Sequence, residues 1–156
     1  MSAAVSMAVE EAPETAYLHP GQLLTAAHAT LVSTVLGSCV AVCLWDPVTR
    51  VGGMNHFLLP MGKGPRYGND AMSRLLDAMT ARGASVARMV AKVFGGSCVI
   101  PGFTGARKAI GTQNVEAAQQ FLAAHSIPVR GEQTGGRRGR KLLFHTGTGR
   151  AYVKDI

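Results

Sequence analysis

Residues 30–47 read TLVSTVLGSCVAVCLWDP. Thr30 to Leu36 is β-branched and apolar, Val40 to Trp45 is apolar throughout, and Gly37-Ser38 parts them just before Cys39. Two such runs read as strands, and the glycine between them permits a sharp bend. Asp46-Pro47 ends the second run with turn chemistry. Val51 to Leu59 reads as a return strand stopped by Pro60,. A cysteine that only fills a core needs no glycine two residues before it. A cysteine that a substrate must reach, at the open end of a strand, has use for one.

Outward from this stretch the pattern alternates. The glycine-rich segment MGKGPRYGND (61–70) leads into a helix that Asn69 or Asp70 can cap, with Met72, Leu75, Leu76 and Met79 at helical spacing and Gly83 ending it,. Val86 to Phe94 reads as a strand closed by Gly95-Gly96. Thr112 to Ala124 reads as a second helix, with Val115, Ala118, Phe121 and Leu122 on its inner face,. Ile127–Arg130, Leu142–His145 and Ala151–Lys154 read as short strands, the last two joined by TGTG,. Strands with two interspersed helices and an early hairpin indicate a mixed α/β sandwich and not a parallel doubly wound sheet.

The bulk numbers agree with one folded domain. The chain has 156 residues, 47% of them hydrophobic and 16% charged, enough to close a core and too apolar for general disorder. Residues 1–16, small and partly acidic, are expected to form a flexible tail before a single domain at 17–156. The N-terminus lacks the basic start and apolar run of a secretory signal. Three cysteines without framework spacing fit a reducing cytoplasm. The formal charge of +7 suits an acidic partner of some kind without choosing among them.

Strand parity turns the cysteine into a chemical hypothesis. If the loop Pro47–Arg50 joins the two hairpin strands, opposed positions sum to an odd number, and Cys39 and His56 share a face. Their Cβ atoms then stand roughly 5–8 Å apart; a slip of one residue would put them on opposite faces. A free thiol is mostly protonated at neutral pH, and a nearby imidazole can take its proton. Backbone N–H groups at the bend can face an oxyanion, and Ser33 or Thr34 can orient the imidazole. Cys43 shares the face of Cys39 and reads as core, Cys98 as packed or carried on a loop. No cysteine or histidine pair has the twin spacing of a zinc site.

The motifs TVLGSCVAVCLWDP, VGGMNHFLLP, RYGNDAM, AKVFGG, IGTQN and GGRRGRK, in that order, resemble the chemoreceptor glutamine deamidase (CheD) family from about Tyr17 to Val153. The resemblance implies a layered α/β/β sandwich of mixed, largely antiparallel sheets with two main helices, similar to the catalytic domain of the cytotoxic necrotizing factor toxins. It implies Cys39 as nucleophile, His56 as base, and a third catalytic hydroxyl at Ser33, the place where the family carries a threonine, with Thr34 beside it. It implies deamidation of glutamines on methyl-accepting chemotaxis receptors, hydrolysis of glutamyl methyl esters by the same acyl chemistry, and no metal or redox cofactor. A CheC-type phosphatase is a further implied partner. A folded helical substrate calls for a groove, which the glycine-rich loops Gly62–Gly68, Gly95–Gly105 and Gly131–Gly139 are placed to line.

Two other readings are weaker. RGEQTGGRRGRK (130–141) has the composition of a phosphate-tracking segment, but no aromatic stacking pair lies near it,, and it lacks the spacing of a nucleotide-binding loop. A non-catalytic regulator of a phosphatase would have no need of an intact Cys39 and His56, which argue against pure loss of catalysis and leave a dual role open.

Overall fold

A computed structural model describes residues 12–98 and 108–156. Along these the strands are β1 (Glu14–Tyr17), β2 (Leu23–Ala26), β3 (Thr30–Leu36), β4 (Val40–Asp46), β5 (Val51–Asn55), β6 (Val90–Gly95), β7 (Val129–Thr134), β8 (Arg140–His145) and β9 (Ala151–Asp155). The helices are α1 (Gly68–Ala81) and α2 (Ile110–Ala124), with a 3-10 turn at Val86–Arg88. One sheet has the order β1-β3-β8-β9 and the other β2-β5-β4-β6-β7. All pairings are antiparallel except β1 with β3 and β6 with β7.

Three layers follow from where the apolar side chains point. Val40, Val42 and Leu44 of β4 bury against Met72, Leu75 and Met79 of α1 and Val115, Ala118 and Leu122 of α2. Alternate residues Ala41 and Cys43, on the opposite face, bury with Met54 and Phe94 against Val32 and Leu36 of β3 and Leu142 and Phe144 of β8. A strand buried on both faces needs the unbroken apolar run that Val40–Leu44 supplies. The α/β/β order expected from the motifs is what the chain adopts.

The bend in the opening stretch has a larger role than a kink. β3 and β4 do not pair; they belong to different sheets, and the chain crosses from one to the other at Gly37–Cys39.

Several boundaries differ from expectation, each for a local reason. Glu14–Ala16, expected in the tail, form with Tyr17 a strand that pairs in parallel with Thr30–Ser33, so the tail assignment of 14–16 is corrected; residues 1–11 lie outside the described residues. The strand expected from Val86 starts at Val90, because the Ser85 N–H and the Arg88 side chain are both drawn to the Asp46 carboxylate. Asn69 and Asp70 do not cap α1. Their carboxamide and carboxylate oxygens reach back to the Gly62 and Gly64 N–H groups at 2.9 and 2.6 Å. The return strand expected to run to Leu59 ends its regular pairing at Asn55, whose Oδ1 accepts the Val42 N–H at 2.9 Å; one further bridge joins Val40 and Phe57.

Candidate active site

The β4–β5 register meets the parity condition. Cys43 opposes Met54, Asp46 opposes Val51 and Val40 opposes Phe57, every pair summing to an odd number. His56 therefore stands across from Ala41, and Cys39, two residues along, is its diagonal neighbour on the face turned toward β3 and β8,. The interruption at Asn55 leaves this register unchanged on either side.

His56 is fixed from three directions. Its backbone carbonyl accepts the Gly21 N–H at 2.8 Å and its N–H donates to the Gln22 carbonyl at 3.2 Å. Its Nδ1 lies 2.7 Å from Thr34 Oγ1, and that hydroxyl donates to the Leu18 carbonyl, also at 2.7 Å. A hydroxyl has one proton to give. The Leu18 carbonyl takes it, so Thr34 Oγ1 accepts from Nδ1–H, and the neutral ring carries its lone pair on Nε2. That Nε2 is buried with no hydrogen-bond partner among the described residues. The imidazole is 2% exposed; burial, and secondarily the charge of His19, push its pKa down to about 4. It is a neutral base at physiological pH.

Cys39 is partly exposed. Burial raises its thiol pKa, against the smaller opposing effect of its own backbone N–H. Both shifts favour the uncharged pair, thiol and imidazole, over the standing thiolate–imidazolium pair expected from proximity alone. Cys43 is fully buried and its thiol is driven further up by burial, which suits the core role read from its position.

Ser33 does not join this group. β3 alternates, with Val32, Thr34 and Leu36 turned inward and Leu31, Ser33 and Val35 outward. Ser33 lines a shallow depression on the outer face with Leu143, Tyr152 and Lys141. The third hydroxyl beside the imidazole is Thr34, and the assignment to Ser33 is corrected. The β-branched run gave no clean alternation by which to choose, since Leu31 and Val35 are as apolar as the inward residues.

Two residues at the site had no reading from the sequence. Leu18 supplies the carbonyl that sets the tautomer, and its own N–H continues the β1–β3 pairing by donating to the Ser33 carbonyl at 2.8 Å. Asn114 of α2, fully buried, donates to the Ser38 carbonyl at 3.0 Å and the Leu58 carbonyl at 2.9 Å. The IGTQN motif (110–114) was the available signal for it.

The glycine-rich loops converge on this end. Gly96 N–H donates to the Cys39 carbonyl and Ser97 N–H to the Gly37 carbonyl. Gly135 N–H reaches the Gly95 carbonyl, and the Leu58 N–H donates to the Arg66 carbonyl. The 99–105 part of the expected groove lies outside the described residues. Among the described residues no group of three or more His, Cys, Asp or Glu side chains could hold a metal ion, and no helix is long and apolar enough to cross a membrane.

Comparison with known proteins converges on one family. A family model described as CheD chemotactic sensory transduction matches residues 60–155. The chain is 51% identical over 144 residues to a probable chemoreceptor glutamine deamidase CheD 1 of Anaeromyxobacter dehalogenans, covering 90% of this chain and 84% of that one. It is 46% identical over 146 residues to a probable chemoreceptor glutamine deamidase CheD of Stenotrophomonas maltophilia, covering 90% and 73%. Among solved structures, the hypothetical protein YfiH of Bacillus licheniformis superimposes with a TM-score of 0.47 at 16% identity, over 70% of this chain and 50% of that one. A match over more than half its length, and relatives of this similarity over nine-tenths of it, show that the chain belongs to the CheD family.

Proposed function

We propose that the chain is a cysteine-dependent protein-glutamine deamidase that acts on the cytoplasmic segments of chemotaxis receptors. The observation that carries this reading is the orphaned, unprotonated Nε2 of His56 on the same strand face as the Cys39 thiol, its other nitrogen held by Thr34. The names of the relatives supply the substrate class. Such a substrate places the enzyme in the cytoplasm.

The chemistry is acyl transfer. As the Cys39 sulfur bonds to the carboxamide carbon of a glutamine, its proton passes to His56 Nε2, and the imidazolium is held through Nδ1–H by Thr34. The Cys39 N–H, which already faces its own sulfur, is placed to bond the oxyanion that forms on the adjoining carbon. Collapse breaks the C–N bond, and the imidazolium gives its proton to the departing nitrogen as ammonia leaves. Water, deprotonated by Nε2, then hydrolyses the thioester and leaves a glutamate with the thiol restored. A glutamyl methyl ester can follow the same course with methanol as leaving group. Neither route calls for a metal or redox cofactor.

A neutral resting pair makes His56 a general base: the Cys39 proton passes to Nε2 only as an electrophilic carbon meets the sulfur, whichever electrophile brings it. The family resemblance also carries a CheC-type phosphatase as a partner, tested by co-purification with that protein. The deciding experiment is intact-mass analysis of a receptor cytoplasmic fragment after incubation. We expect a small mass gain for each glutamine converted, with ammonia released in equal amount. An unchanged fragment mass across a panel of receptors from the same organism would overturn the proposal.

A further inference from the structure

We infer that Asn114 is a positioning residue for the Cys39–His56 pair, a role that rests on the deamidase reading and concerns the geometry of the same site. The β4–β5 ladder ends at the Val40–Phe57 bridge, where both backbone bonds are made at 2.9 and 3.1 Å. Beyond it the strands fork. The Leu58 and Leu59 N–H groups turn away to the Arg66 carbonyl, and the Cys39 carbonyl turns to the Gly96 N–H. The two carbonyls left facing the fork, those of Ser38 and Leu58, are both taken by the carboxamide nitrogen of Asn114. A primary amide has two protons on one nitrogen, and each is spent on one prong. One prong carries Cys39 and the other follows His56 by two residues. Asn114 thus closes the hairpin where the backbone cannot.

The reach of Asn114 depends on how deeply α2 is seated. Gly111, one turn before it, packs so closely that a Cβ there would collide with the backbone of Gly96 and Ser97; a Cβ on Gly96 would in turn strike the Gly111 carbonyl and the Val115 side chain. Glycine at both positions lets the helix settle against the loop after β6, and Asn114 then meets the fork. Its Oδ1 is buried with no partner among the described residues, a cost the protein bears while both N–H groups are used. Because α2 packs on the face of β4 opposite to Cys43 and Met54, Asn114 acts through the strands and not on the substrate.

The test is the alkylation rate of Cys39 by iodoacetamide across pH, read by mass spectrometry of the Cys39 peptide in the full chain, beside thermal unfolding. Asn114→Ala is expected to slow alkylation near neutral pH by about tenfold, the scale of a small misplacement of reacting groups, and to change the shape of the pH–rate profile. Asn114→Asp, which keeps the shape and loses both donors, is expected to do the same, as is Gly111→Ala, a change that helix propensity alone would favour. Should Asn114→Ala fail to fold, Asn114→Ser and Asn114→Asp carry the test. Profiles that superimpose on wild type while the melting temperature falls would overturn the inference and leave Asn114 a packing residue. The deamidase reading is judged separately: equal alkylation of wild type and His56→Ala would remove the pair itself, and this inference with it, whereas loss of His56 dependence in the Asn114 variants alone would support it.

Discussion

The two ends of the β4–β5 hairpin are built from the same strands and solve opposite problems. At the turn end, Asp46 is fully buried and fully used: its carboxylate accepts the Val48 and Ser85 N–H groups at 2.9 Å and the Arg88 guanidinium at 2.9 to 3.2 Å. Burial alone would raise its pKa, but Arg88 and the Ser85, Val48 and Thr49 N–H groups outweigh that and hold it well below the carboxylate range. At the open end, His56 Nε2, Asn114 Oδ1 and Ser97 Oγ are buried without partners among the described residues. The turn end has one orphan too, the Trp45 indole N–H, but among the described residues no buried titratable group is left unpaired there. Unpaired buried polar groups cost stability. At His56 Nε2, on the strand face of Cys39, that cost marks a site kept open for another molecule, while the satisfied end holds the strands in register.

Substitutions should separate the two ends. The largest effect is expected from Cys39→Ala, which should abolish ammonia release from receptor fragments while the far-ultraviolet circular dichroism stays that of wild type. A mutant that deamidates normally would end the catalytic reading. His56→Ala should lower Cys39 alkylation by iodoacetamide at neutral pH by about tenfold or more, with the gap closing at alkaline pH as solvent base replaces the imidazole. The same residue sets a stability signature. Its folded pKa of about 4 lies below the unfolded value, so the folded state loses stability as the pH falls below about 6.5 and the unfolded chain takes up the proton first. His56→Ala should flatten that part of the pH–stability curve.

Thr34→Val keeps the shape and removes the hydroxyl. We expect kcat to fall by about a hundredfold with little change in KM, because Nδ1–H loses its acceptor and the ring its fixed tautomer. Ser33→Ala, one residue away on the outer face, should leave kcat within about twofold; a larger loss there than at Thr34 would reverse the assignment.

Asp46→Ala tests the other end. It should cost about 3 kcal/mol in denaturant unfolding, the scale of leaving several buried donors unpaired, without changing the activity of the molecules that remain folded. Since the Asp46 carboxyl is held down in the folded state, its contribution is complete above about pH 4 and is lost as the pH falls below that. A loss of activity out of proportion to the unfolded fraction would mean that the turn is coupled to the site and the contrast between the ends is false.

The extent to which the sequence foretold this arrangement follows from what each feature depends on. The β4–β5 hairpin and its register were legible because a four-residue turn fixes strand parity, and parity alone puts Cys39 and His56 on one face. The sandwich class was legible from strands with two interspersed helices and an early hairpin. The choice between Ser33 and Thr34 was not, since it turns on which face of β3 meets the second sheet and both parities of that strand are apolar. Leu18 escaped because it acts through its backbone carbonyl, which leaves no trace in residue type. Asn114 escaped because its partners are 76 and 56 residues away in the chain, and only the seating of α2 brings them together. The neutral state of the pair was also missed: proximity favours the ion pair, and burial, which decides against it, is a property of the fold.

The most direct test of the central claim is ring nitrogen-15 NMR of His56 in the full-length protein across the pH range where histidines ordinarily titrate. The account predicts a neutral ring throughout, protonated on Nδ1 and bare on Nε2, charging only near its folded pKa of about 4. A ring that carries its proton on Nε2, or one already charged at neutral pH, would contradict it.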